Sequence, residues 1–65
     1  MNKELLGKEI RLGEIWDGNL NAEDCILENN NYTDEKGVTY FFEFVKKDEE
    51  KLYNSIIKIT SVEEF

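Results

Sequence analysis

Between Val38 and Thr60 the chain reads VTYFFEFVKKDEEKLYNSIIKIT, two runs of alternating apolar residues separated by a knot of charge. Successive side chains of a strand point to opposite faces, so Tyr40, Phe42 and Phe44 share one face, as do Ile57 and Ile59. The pattern predicts an antiparallel hairpin, and because a one-residue slip reverses every facing, its register follows from which pairing gathers the apolar side chains together. A four-residue loop at Asp48, Glu49, Glu50 and Lys51 sets Lys47 opposite Leu52, Phe44 opposite Ser55, Phe42 opposite Ile57 and Tyr40 opposite Ile59. A three-residue loop leaves neither face dry. The four-residue loop is therefore expected, with Val38, Tyr40, Phe42, Phe44, Ile57 and Ile59 as the central core. Leu5, Leu6, Ile10, Leu12 and Ile26 are expected to cover it. The reverse face keeps Phe41, Val45 and Ile56, which marks either a sheet curled into a barrel-like form or an interface.

The rest of the chain supplies short elements around that hairpin. Asn2 is placed to cap a helical turn through Lys3, Glu4, Leu5 and Leu6, ended by Gly7. The run KEIRLGEIW, from Lys8 to Trp16, reads as a strand bulged near Gly13, where the apolar phase changes. Asp17-Gly18 then reads as a hairpin turn. Residues 21–29 fit a helix, capped by Asn21 with Asp24 completing a capping box and Leu20 stapled onto Cys25, or a second strand; the strand is slightly preferred. Asp34-Glu35-Lys36-Gly37 fits a type I turn with a left-handed glycine, which opens a further hairpin at Val38. The fold expected is mainly β, or small α+β: a three- to four-stranded antiparallel meander with an N-terminal helical turn, in one domain spanning residues 1–65.

At 65 residues the core is small, and its single cysteine and lack of histidine exclude an internal disulfide and a zinc site. Four phenylalanines, three tyrosines and a tryptophan argue for a folded chain despite 35% charge. Fifteen acids against eight Lys and Arg give a net charge of −7, which disfavours direct binding to nucleic acid or an anionic membrane and favours a basic protein partner. A lone Cys25, expected buried or half-buried, and the lack of an apolar run behind MNKELLG point to a cytoplasmic setting in a bacterial cell or a phage-infected host.

The stretch DGNLNAED, Asp17 to Asp24, resembles the second half of an EF-hand or dockerin calcium loop in Gly18, Leu20 and Asp24. Its first two ligand places, however, fall on Gly13 and Ile15, which carry no side-chain oxygen. A loop started at Asp17 supplies Asp17, Asn19, Asn21 and Glu28 but puts Ala22 where glycine belongs, so a hairpin turn is preferred and neither metal nor cofactor is expected. Catalysis lacks a candidate too. There is no histidine, Cys25 stands among Glu23, Asp24 and Glu28, and GKEIRLG lacks the phosphate-loop spacing.

Binding residues are therefore sought among the acids and the leftover aromatics. Asp48, Glu49 and Glu50 at one loop, Asp34 and Glu35 at a turn, and Glu63 and Glu64 near the end form candidate negative patches that steer the chain to a positive groove; their bland reading is solubility. Phe41, Val45, Ile56, Tyr53, Tyr32 and Trp16 are the candidate apolar anchors of a partner or dimer interface. The expectation is an acidic interaction module, similar in general profile to small phage-encoded inhibitors of host defence, that occludes a basic nucleic-acid-handling protein. A homodimer without ligand is the alternative, and a calcium or small-ligand module the third reading.

Overall fold

In the computed structural model, which describes residues 3–64, the chain forms a four-stranded antiparallel sheet with one short helix. The strands are β1 (Glu9–Arg11), β2 (Asn31–Thr33), β3 (Val38–Lys46) and β4 (Ile56–Glu64), ordered β1-β4-β3-β2 across the sheet. Helix α1 spans Glu23–Asn29, and single 3₁₀ turns occupy Lys3–Leu5, Leu12–Glu14, Leu20–Ala22 and Leu52–Asn54. The sheet stays open rather than barrel-like, with β1 and β2 as its edges. The expected cap at Asn2 lies outside the described residues. The helical turn after it and the left-handed Gly7, at φ 80°, are present.

Strand β1 is shorter than the sequence suggests. Leu12 N–H bonds the Ser55 carbonyl at 2.8 Å, and the chain then turns inward, with Ile15 and Trp16 N–H both donating to the Leu12 carbonyl. No hairpin follows at Asp17-Gly18, because β1 pairs with β4 through Glu9 with Lys58, Ile10 with Ile57 and Arg11 with Ile56. Residues 21–29 are helical rather than the slightly favoured strand: they begin in a 3₁₀ turn and continue as α1. Helical spacing sets Ala22 and Ile26 one turn apart on the side that meets the core, with Ile26 buried and Ala22 packed partly against it. The cap comes from Asn19, whose side chain accepts from Asn21 N–H, and Leu20 is 75% exposed rather than stapled. Asn30 ends the helix in the left-handed region at φ 55°, and its carbonyl accepts from Phe42 N–H at 3.0 Å.

The long hairpin forms with a different register from the expected one. Phe42 faces Ile59 and Phe44 faces Ile57, two residues from the anticipated pairs, an even shift that keeps these side chains on their face, while Tyr40 faces Val62, three residues from the anticipated Ile59. The expected four-residue loop is instead a longer connection holding the Leu52–Asn54 turn, because Ser55 is fully buried and its Oγ accepts from Asp48 N–H at 2.8 Å. Two bulges absorb the difference. Between Phe41 and Phe42 the partner advances from Ser61 to Ile59, leaving Thr60 extra, and between Phe44 and Lys46 Val45 is extra.

Leu12, Trp16, Ile26, Tyr32, Val38, Tyr40, Phe42, Ile57, Ile59 and Val62 form the buried core. Ile57 and Ile59 are wholly buried, each contributing about 1.5–3 kcal/mol by removal from water. Phe44 is half-buried, with its ring edge-to-face on Phe42 at 5.6 Å, and Leu6 points outward while Leu5 packs inward. Cys25 is exposed, not structural, since its place on α1 lies off the Ile26 face.

Candidate functional site

Two loops, each rigidified by a carboxylate, meet beside Tyr32. In the β2–β3 connection Gly37 N–H bonds the Asp34 carbonyl at 3.1 Å, and Asp34 Oδ1 accepts from Lys36 N–H and Val38 N–H at 2.9 and 3.0 Å. With Gly37 left-handed at φ 84°, this is the turn the sequence predicts. In the 17–22 segment Asp17 Oδ1 accepts from Asn19 N–H and Asn19 Oδ1 from Asn21 N–H, both at 2.9 Å. Trp16 Nε1 donates to the Asn19 carbonyl at 3.0 Å and so ties this segment to the core. Between the loops lies a depression of about 360 Å³ lined by Asp17, Asn19, Asn21, Tyr32, Asp34 and Glu35, among others.

Tyr32 forms the floor of that depression. It is only 7% exposed, yet its hydroxyl has no hydrogen-bond partner among the described residues, and it is not sealed from solvent. Burial, reinforced by the charges of Asp17, Asp34 and Glu35 and by Tyr40 beside it, holds that hydroxyl above its ordinary pKa. Sequence reasoning put Tyr32 and Trp16 among exposed anchors; both are core instead. Tyr32 sits opposite Tyr40 on the inner face, and Trp16, 4% exposed, follows the inward turn after β1.

The seven predicted acidic residues fall into two groups. Glu63 faces Thr39 and Glu64 faces Val38, so both lie at the same end of the sheet as Asp34 and Glu35. Asp17 joins that end through the depression, a proximity that no sequence spacing signalled. Asp48, Glu49 and Glu50 lie at the opposite end, beyond the pairing of Lys46 with Ile56. There Lys46, Lys47 and Lys51 stand beside them in the chain. Asp48 is spent on the loop itself: its Oδ1 accepts from Glu50 and Lys51 N–H at 2.9 and 3.0 Å. Those backbone bonds, Lys51's first, hold its carboxyl below the usual carboxylate range, helped by the Lys51 and Lys46 charges. It is a capping group, and Lys47 lies over the Phe44 ring at 5.6 Å.

The apolar candidates are not brought together either. Phe41 and Ile56 are half-buried and Val45 is 51% exposed, but the register inserts the pair Glu43 and Lys58 between Phe41 and Ile56. Tyr53, 42% exposed, belongs to the Leu52–Asn54 turn and flanks a separate depression of about 320 Å³ with Arg11, Gly13 and Trp16. As for calcium, Asp17 and Asn19 turn oxygens onto their own backbone, and among the described residues no three His, Cys, Asp or Glu stand close enough to hold a metal ion. No helix among the described residues is long and apolar enough to cross a membrane. No family model, no curated protein and no solved structure matches the chain.

Proposed function

We propose that the chain acts by binding rather than catalysis, as a small acidic module that docks by the turn end of its sheet on a basic surface of another protein and occludes it. The observation that carries this reading is the convergence of Asp17, Asp34, Glu35, Glu63 and Glu64 at one end, with Lys36 the one cation within that turn. Such a field accelerates encounter with a positive groove, and in a low-dielectric contact it discriminates against acidic partners. A groove that handles nucleic acid has the required charge, which makes an inhibitor of a host-defence protein, phage-encoded and acting in the cytoplasm, the concrete form of the proposal. The exposed unpaired thiol of Cys25 fits a reducing compartment. A homodimer through Phe41, Val45 and Ile56 is the weaker reading, because the Glu43–Lys58 pair interrupts the face it would use.

The test is affinity capture from a bacterial or phage-infected lysate with three baits: the parent chain, a Glu35→Lys, Glu63→Lys, Glu64→Lys variant, and a Glu49→Lys, Glu50→Lys variant that spares the Asp48 cap. Capture is expected to be released by salt, lost with the first variant and kept with the second, both remaining folded by circular dichroism. Capture that ignores salt, or that survives reversal of the turn end, overturns the reading.

A further inference from the structure

We infer that the depression between the β2–β3 turn and the 17–22 segment receives a guanidinium group, the side chain of an exposed arginine on the basic partner; this names the recognised group and rests on the module reading above. The Tyr32 hydroxyl is the pointer. The ring is packed away, with only 7% of the residue exposed, while its hydroxyl opens on the depression and takes no hydrogen bond from a described residue, so a bound group can pair with it. The hydroxyl faces a lining that carries three carboxylates, Asp17, Asp34 and Glu35, beside the Asn19 and Asn21 amides. Asp17 and Asp34 each commit one oxygen, Oδ1, to backbone N–H groups and keep the other, and no described residue donates to the Glu35 carboxylate. The lining thus carries three negative charges and no positive one, and its carboxylate oxygens leave acceptors in excess.

Three cations compete for such a lining. A bare metal ion needs several ligands within about 2.0–2.6 Å, and no three metal-binding side chains among the described residues are grouped closely enough. An ammonium presents three donors at one point and so satisfies neighbouring acceptors only. A guanidinium presents five donors in a planar fork, which suits carboxylates carried on two separate loops with a phenolic oxygen between them. The two loops are already held by Asx turns and by the Trp16 bond, so little ordering accompanies binding.

The test is a titration of the isotopically labelled chain with N-acetyl-L-arginine methylamide, followed by amide NMR shifts, beside the lysine analogue and calcium chloride. Saturable shifts at Asn19, Asn21, Thr33 and Glu35 are expected with the arginine compound in the millimolar range, with weaker binding of the lysine analogue and none of calcium. Tyr32→Phe removes only the unpartnered hydroxyl; it should leave the melting temperature unchanged while raising the Kd for the arginine compound about two- to tenfold. Asp17→Asn with Glu35→Gln, which retains the Asp17 turn oxygen, should abolish the shifts. Equal binding of the lysine analogue, shifts centred on Asp48 to Lys51, or Tyr32→Phe binding as tightly as the parent overturns the inference. If the arginine compound misses the depression while salt-sensitive capture still depends on Glu63 and Glu64, the guanidinium site falls and the module reading stands. If the compound binds as described but no basic partner is captured, the module reading falls instead.

Discussion

At Gly13 the chain passes so near the Leu52–Asn54 turn that a Cβ built there would lie 3.0 Å from the Tyr53 carbonyl oxygen and 3.5 Å from the Tyr53 Cβ. The obstruction is backbone, which cannot swing aside as a flexible side chain would. Two effects of Gly13→Ala oppose each other. Restricting the unfolded chain stabilises by about 0.4–1 kcal/mol, whereas forcing an added methyl into a packed contact costs about 1–3 kcal/mol. The steric effect is larger, so Gly13→Ala is expected to lower stability by roughly 1 kcal/mol, read from the urea midpoint through the fluorescence of Trp16. An unchanged or raised midpoint would show that Gly13 and Tyr53 do not touch in solution. Gly37 illustrates a different constraint: its added Cβ meets nothing within 4 Å, and only its φ of 84° argues for glycine.

Among the elements, the hairpin of β3 and β4 shows what the sequence carries and what it hides. Alternation places Tyr40, Phe42, Ile57 and Ile59 inside, and they are inside, because facing depends on parity along each strand rather than on which residue lies opposite. The bulges at Thr60 and Val45 are invisible in a pattern of polar and apolar letters, as is the buried Ser55 that draws the loop inward. Residues 21–29 were ambiguous for a related reason: a seven-residue helix carries too few turns for its period to stand out, and its position is set by Ile26 meeting the core. The Tyr32 depression was least legible, since it joins Asp17 to Asp34 and Glu35 across a helix and a strand. The bulge gives a sharp expectation. Because Thr60 is the extra residue, Val62 rather than Ser61 turns inward and is 9% exposed. Val62→Ala should therefore cost about 2 kcal/mol, and Thr60→Ala should stay within about 0.5 kcal/mol. A bulge-free ladder puts Ser61 inside and Val62 outside, so a neutral Val62→Ala in chemical denaturation would count against the bulge.

Over the whole molecule, charge is divided along the sheet, and the two ends should respond oppositely to neutralisation. At the turn end lie Asp17, Asp34, Glu35, Glu63 and Glu64, with Lys36 in the turn, while at the loop end Asp48, Glu49 and Glu50 are flanked by Lys46, Lys47 and Lys51. Like charges held together by folding disfavour the compact state, an effect that reaches about 10 Å at 0.1 M salt and about 3 Å at 1 M. Removing negative charge from the turn end relieves repulsion; removing it from the loop end discards attraction to the neighbouring lysines. Glu63→Gln with Glu64→Gln is accordingly expected to raise the melting temperature by roughly 2 °C in low-salt buffer, the scale of exposed charge interactions in a domain this small. Glu49→Gln with Glu50→Gln is expected to leave it unchanged or lower it. Both differences should vanish at about 1 M sodium chloride, because the contacts themselves are untouched and only the field is screened. Melting curves of the parent and both variants at the two salt concentrations decide the matter. A gain at the loop end that equals or exceeds that at the turn end would mean that the negative field is spread evenly over the surface, and the case for docking by the turn end would go with it.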